Sequence, residues 1–223
     1  MTPPPYPRTP HLWPPQASAG RLVLPPDEAQ RWLQVPVVVE EKLDGANVAL
    51  WLGEPESEVR VASRGGADAR DRAGQLGRLR AWSAERREGL CRLLEGGWTL
   101  YAEWLWLEHG VNYDRLPDWL VALDLWHPEH GFVPLWKRDR RCEAADLPVP
   151  PRLFEGVLGS TQRVRDLIRQ SAYSSHQTAE GLILRAPDGS RCKVVAAGHV
   201  RRSDEQWLSA RRHNGVATGG LTR

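Results

Sequence analysis

The stretch Val35-Pro36-Val37-Val38-Val39-Glu40-Glu41-Lys42-Leu43-Asp44-Gly45-Ala46-Asn47-Val48-Ala49-Leu50-Trp51-Leu52 governs the reading of this chain. Residues 35–41 and 46–52 are two β-type runs, and Leu43-Asp44-Gly45 joins them with residues suited to a tight connection. Lys42 sits at the joint beside Glu40, Glu41 and Asp44. A lysine at a strand end among acids is compatible with a plain surface ion pair. It is equally compatible with an amine that attacks an electrophilic phosphorus and is released as a phosphoramidate opens. That second role needs a neutral amine near pH 7, against an unperturbed pKa of about 10.4; nearby cations and partial desolvation are the usual means.

Outward from this joint, 59–63 reads as a third strand and 76–94 as a helix carrying Leu76, Leu79, Leu90, Leu93 and Leu94. The apolar, aromatic runs 99–107 and 119–126 suit buried strands. Residues 160–170 place Val164, Leu167 and Ile168 at helical spacing behind Ser160 as N-cap. Runs 181–185 and 191–195 flank Pro187-Asp188-Gly189, a hairpin signal, and 199–212 reads as a final amphipathic helix. Strands and helices mix without βαβ alternation, so the class is α+β. A Pro-rich N-terminal extension (1–30) is expected before a catalytic domain (31–200), with a short C-terminal helix and tail (201–223).

Length and composition bound the rest. The 223 residues suit one generous domain, with 41% hydrophobic and 26% charged residues, as in soluble globular chains. No apolar run approaches the ~18 residues of a membrane span, and the N-terminus lacks a secretory signal pattern, so a cytoplasmic protein with no membrane partner is expected. Cys91, Cys142 and Cys192 form no C-x-x-C pair and read as reduced thiols. His127 and His130, with Cys142 beyond, lack a fourth zinc ligand at conventional spacing. Net charge is only +2, yet arginines cluster at 60–87, at 138–141 and at 201–212, and such patches can meet phosphates or simply be solvated. Lysine is scarce: Lys42, Lys137 and Lys193 are the three among 30 basic residues. Arginine cannot supply a nucleophilic amine, so a retained lysine draws notice.

Further parts of a phosphoryl-transfer site follow in order. Ser63-Arg64-Gly65-Gly66 ends a strand with a guanidinium and an open backbone; Tyr101-Ala102-Glu103 sets a carboxylate late in an apolar strand. Glu180-Gly181-Leu182-Ile183-Leu184-Arg185 opens a strand with another carboxylate, and Arg191-Cys192-Lys193 puts two cations on one strand face. An amine, acids for ribose and metal, and cations for a triphosphate make a coherent set.

With Leu123-Asp124-Leu125 added, this ordered set resembles the RNA ligases of the covalent lysyl-nucleotidyltransferase superfamily, closest to the double-strand, nick-sealing branch. The resemblance spans about residues 35 to 200. It implies an ATP-grasp-like ligase adenylation domain with antiparallel sheets flanked by helices. The thirty residues beyond Lys193 are too few for an OB-fold, so none is expected. The resemblance also implies roles: Lys42 as the nucleophile forming lysyl-AMP, the backbone around Glu41 reading adenine, and Asn47 towards the phosphate or incoming 5′-phosphate. Arg64 and Glu103 would bind the ribose or phosphate region, Glu180 the metal side, and Lys193 with Arg191 the α-phosphate. Leu123 stands where the family has an adenine-stacking aromatic, so the base would lie between Leu123 and Ile183, losing part of the ~1–3 kcal/mol of aromatic stacking.

The expected cofactors are ATP and Mg²⁺ or Mn²⁺. The expected partner is nucleic acid with 5′-phosphate and 3′-hydroxyl ends, RNA favoured and a nicked duplex included, with no obligate protein partner. Two other readings differ in outcome. A DNA-ligase-like or capping-type enzyme would change the acceptor or the nucleotide, and an inactive nucleotide- or nucleic-acid-binding relative would form no covalent adduct.

Overall fold

The computed structural model describes residues 2–15, 20–54, 58–63, 74–199 and 212–217. The joint at Lys42 is a change of sheet. β1 (Pro36–Lys42), a valine-rich run, lies inside one antiparallel sheet, and β2 (Ala46–Leu52) lies inside another. The first sheet has the order β7 (Arg152–Val157), β1, β8 (Gly181–Arg185), β9 (Arg191–Val195). The second runs β3 (Val59–Ser63), β2, β4 (Thr99–Trp104), β5 (Leu120–His127), β6 (Gly131–Phe132). Among the described residues neither sheet closes on itself as a barrel.

Alternation along each strand sorts side chains between an apolar layer and the space between the sheets. In the first sheet Val37, Val39, Leu182, Leu184 and Val194 are buried with Trp32 and Leu33 from α1 (Pro26–Trp32) and its end, and with Val164 from α5 (Thr161–Asp166). In the second, Val48, Leu50, Leu100, Ala102 and Leu125 pack with Leu79 and Trp82 of α2 (Gly74–Glu85) and Leu90, Leu93 and Leu94 of α3 (Arg87–Leu94). A third cluster, Leu43, Leu105, Val111, Tyr113, Leu116 and Val121, closes the base of the joint. Each sheet is thus covered by helices on one face, and its other face is free to carry polar groups.

The helix expected over 76–94 is two helices. Arg86 leaves helical geometry (φ −110°, ψ 18°), pairs with Asp118 at 2.8 Å and lies over the Trp82 ring at 4.7 Å. Its own partners pull it out of the helical path. Ser160 caps α5 as the sequence suggests, accepting from Arg163 N–H at 3.2 Å. The final helix expected over 199–212 falls mostly outside the described residues. The N-terminal strap extends the first sheet: His11 bridges Lys193 in parallel, Leu12 N–H donates to Lys193 O at 2.9 Å, and Lys193 N–H donates to Pro10 O at 2.9 Å.

Candidate active site

Lys42 ends β1 with its side chain on the face shared by Glu40, Ile183, Arg185, Arg191 and Lys193, since paired residues of adjacent strands point the same way. The facing sheet offers Asn47 and Glu103, cross-strand partners. Lys42 Nζ donates to Glu180 Oε2 and lies 3.4 Å from Leu43 O. Burial opposes the ammonium charge, yet Glu180, Glu103 and Asp44 together hold the Lys42 pKa above its ordinary value. Of the two means expected to depress a lysine, burial is present, but the described charges around Lys42 are acidic rather than cationic. Burial also raises Glu103, to about 7, with Lys42 pulling it back and Glu180 pushing it up.

The turn is built to hold these groups close. Asp44 N–H donates to Tyr113 Oη at 2.8 Å, and Val111 N–H donates to Asp44 Oδ2 at 3.1 Å. Gly45 N–H donates to Glu103 Oε1 at 3.0 Å. A Cβ on Gly45 would stand 2.6 Å from Trp104 O and 2.7 Å from Leu105 Cδ2, so the joint has room only for glycine. Asn47 Oδ1 is buried here without a hydrogen-bond partner.

Donor atoms of Asp44, Glu180 and His199 all lie within 4.8 Å of one another. His199 Nε2 is buried, has no hydrogen-bond partner and sits 3.6 Å from Asp44 Oδ2. Two carboxylates and an unsatisfied imidazole nitrogen fit a divalent cation of the Mg²⁺ or Mn²⁺ kind. His199 was not singled out from the sequence, because it follows the last strand by a short turn and belongs to no motif. The zinc grouping considered there does not assemble: Cys142 is buried in the apolar layer behind the second sheet. His127 and His130 stack on each other at 4.7 Å near the surface.

Other sequence-singled residues fall into different surroundings. The Glu41 carboxylate turns away from the cleft, accepting from Ser171 Oγ and from Ala172 N–H at 2.8 Å. Glu41 N–H donates to Pro151 O at 2.9 Å. Arg191 is bound to Asp124 Oδ2 at 2.8 Å and lies over the Tyr6 ring at 4.2 Å and the Phe132 ring at 5.1 Å. Tyr6 Oη donates to Asp124, and its ring packs on Tyr101 at 4.9 Å. Leu123 and Ile183 are both partly buried. Arg64 lies outside the described residues.

A buried network ties the two sheets together behind these groups. Glu40 is bound by Arg138 at 2.6 Å and by Arg185 at 2.7 Å, and Arg185 reaches across to Asp124 Oδ1 at 2.8 Å. Burial works against the Asp124 charge, but Arg185 and Arg191 prevail and lower its pKa. Arg138, in a cluster whose sequence suits phosphate contact or plain solvation, is instead buried in this network.

Two helix-backed antiparallel sheets thus meet around one lysine, with carboxylates at hand. Residues 35–201 match the family model for RNA ligase, and the chain belongs to that family. The fold is also similar to solved structures. One is Naegleria gruberi RNA ligase with PPi, at 16% identity and TM-score 0.59, covering 76% of this chain and 52% of that one. Another is an N. gruberi RNA ligase mutant with AMP and Mn, at 15% identity and TM-score 0.58, with the same coverage. A third is an archaeal ATP-dependent RNA ligase, at 18% identity and TM-score 0.55, covering 86% of this chain and 48% of that one. The chain therefore spans about half the length of these structures. No curated protein sequence matches it. No described helix is long and apolar enough to cross a membrane.

Proposed function

We propose that this chain is an ATP-dependent RNA ligase working through an adenylylated lysine. Lys42 Nζ attacks the α-phosphorus of ATP, the bond to the departing pyrophosphate breaks, and AMP stays on the amine as a phosphoramidate. A strand's 5′-phosphate takes AMP from Lys42, and the adjoining 3′-hydroxyl then displaces AMP to form the phosphodiester. One observation carries the reading: in a chain of this family, the Lys42 amine is held by Glu180, beside Glu103 and Asp44, where two sheets meet.

Before attack the Nζ ammonium must release a proton that Glu180 now stabilises. Asp44, Glu180 and His199 would hold the divalent cation. That cation would supply positive charge to offset the triphosphate and favour the neutral amine. Lys193, on the same sheet face as Ile183, is suited to the α-phosphate. Arg191, on the same face, is paired with Asp124. Leu123 and Ile183 would flank the base, with the backbone around Glu41 reading its edge. Glu103 and Arg64 would meet the ribose or phosphate region, and Asn47, with its unsatisfied oxygen, the acceptor end.

The acceptor is nucleic acid with 5′-phosphate and 3′-hydroxyl ends, RNA in preference and a nicked duplex in particular, with no protein partner required and a cytoplasmic setting. The test is a panel of nicked RNA, DNA and hybrid duplexes, with single strands beside them, incubated with ATP and Mg²⁺ or Mn²⁺. Joining of RNA 5′-phosphate to RNA 3′-hydroxyl is expected. Joining of DNA alone, or transfer of GMP from GTP to a diphosphate end, would replace this reading.

A further inference from the structure

The N-terminal strap delivers a side chain to the cleft that no motif announces. His11 is paired with Lys193 in register, its neighbours Pro10 and Leu12 hydrogen-bonded to that same residue through the backbone. Residues paired across a ladder project to the same face, so His11 projects to the face that carries Lys193 and Ile183. Leu12, one residue on, is fully buried in the apolar cluster behind the sheet, as alternation requires.

His11 is 3% exposed, and its Nε2 is a buried nitrogen without a hydrogen-bond partner. Buried polar atoms are nearly always satisfied, so this unpartnered nitrogen beside Lys193 calls for a partner. Its electrostatic neighbours are all cationic. Burial, then Lys193, Arg21 and Lys42, hold its imidazole down to about 4, so it is neutral at ordinary pH. A neutral imidazole near Lys193, Arg21 and Lys42 can donate from Nε2–H without adding charge.

We propose that His11 is a nucleotide-binding residue of this site, donating from Nε2 to a phosphate oxygen of ATP beside Lys193. The inference rests on the ligase reading above and extends the site to a segment outside residues 35–201, the span matched by the family model. The strap then has a chemical task as well as a packing one: it adds a strand edge and a phosphate donor together.

The experiment uses the intact chain with α,β-methylene-ATP, which binds but cannot adenylylate Lys42, and with adenosine as the phosphate-free probe. His11→Leu keeps volume without a donor, and His11→Gln keeps a donor. His11→Leu is expected to weaken the analogue about tenfold while leaving adenosine within about twofold, and His11→Gln to stay within about threefold of the parent. In parallel, nitrogen-15 spectra of the unaltered chain should show the His11 imidazole resonance shifting with the analogue and not with adenosine. That spectrum decides the matter even if a substitution unfolds the chain. Equal affinities in parent and His11→Leu, equal losses for analogue and adenosine, or an unmoved His11 resonance in a chain that binds the analogue would overturn the inference alone. A parent chain that binds no analogue would overturn the ligase reading with it.

Discussion

Lys42 begins from an unfavourable electrostatic position for a nucleophile. Its carboxylate neighbours keep the proton on Nζ, so ammonium and acids sit together where the nucleophile must be released. The acids bear a cost of their own. Glu103 titrates near 7 in the fold against an ordinary 4.5, so between those values the folded chain binds its proton more tightly than the unfolded chain. Its contribution is therefore neutral at low pH and increasingly destabilising as pH rises through that window. Glu103→Gln keeps the acceptor for Gly45 N–H and removes the charge. It should melt roughly 2–6 °C above the parent at pH 8, match it near pH 4, and lose nucleotidyl transfer. A variant no more stable than the parent at pH 8 would show that Glu103 is not held up by burial. Lys42, Glu103 and Glu180 were legible in the sequence because acids and an amine at ordered positions form a pattern. His11 and His199 were not, since nothing local distinguishes a histidine that meets the site only through folding.

At the scale of elements, the β8–β9 hairpin sets how closely Glu180 and Lys193 approach the joint. A Cβ at Gly181 would press on the Val194 carbonyl and stand 2.9 Å from Val195 Cα, backbone that cannot swing aside. Gly181→Ala should cost about 1–3 kcal/mol in urea unfolding and weaken ATP binding together, because the strands that carry both groups must part. A stable variant with unchanged ATP affinity would mean that the hairpin does not position the site. Strands β2, β3, β8 and β9 match the sequence-read bounds because alternation and turn residues speak locally. α4 (Leu135–Glu143) has no such local signal: its sequence, LWKRDRRCE, is dominated by charge, with only Leu135, Trp136 and Cys142 apolar. It forms because Arg138 and Cys142 are buried through tertiary partners, Glu40 for the first and the apolar layer for the second. The strap was likewise opaque, since a Pro-rich segment declares no partner until β9 is in place.

Across the whole molecule a buried charge network joins the two sheets. Glu40, Arg138, Arg185, Asp124 and Arg191 form one network running from the first sheet to the second, with Glu40 only 1% exposed. Removing one member of a buried ion network strands the others. Glu40→Ala is therefore expected to cost about 3–5 kcal/mol, read as a lower urea midpoint, and to loosen the cleft. A loss under about 1 kcal/mol would show the network to be solvated in solution. This cross-sheet coupling depends on Arg185 and Asp124, 61 residues apart, a separation at which sequence pattern carries no contact information. The central claim is covalent, and the direct measurement is covalent too. The purified chain is incubated with α-labelled ATP and Mg²⁺ or Mn²⁺, denatured, and examined for label on the polypeptide. An acid-labile adduct that is absent in Lys42→Ala and discharged by added pyrophosphate is expected; no adduct, or one that survives Lys42→Ala, would rule out Lys42 as the nucleophile.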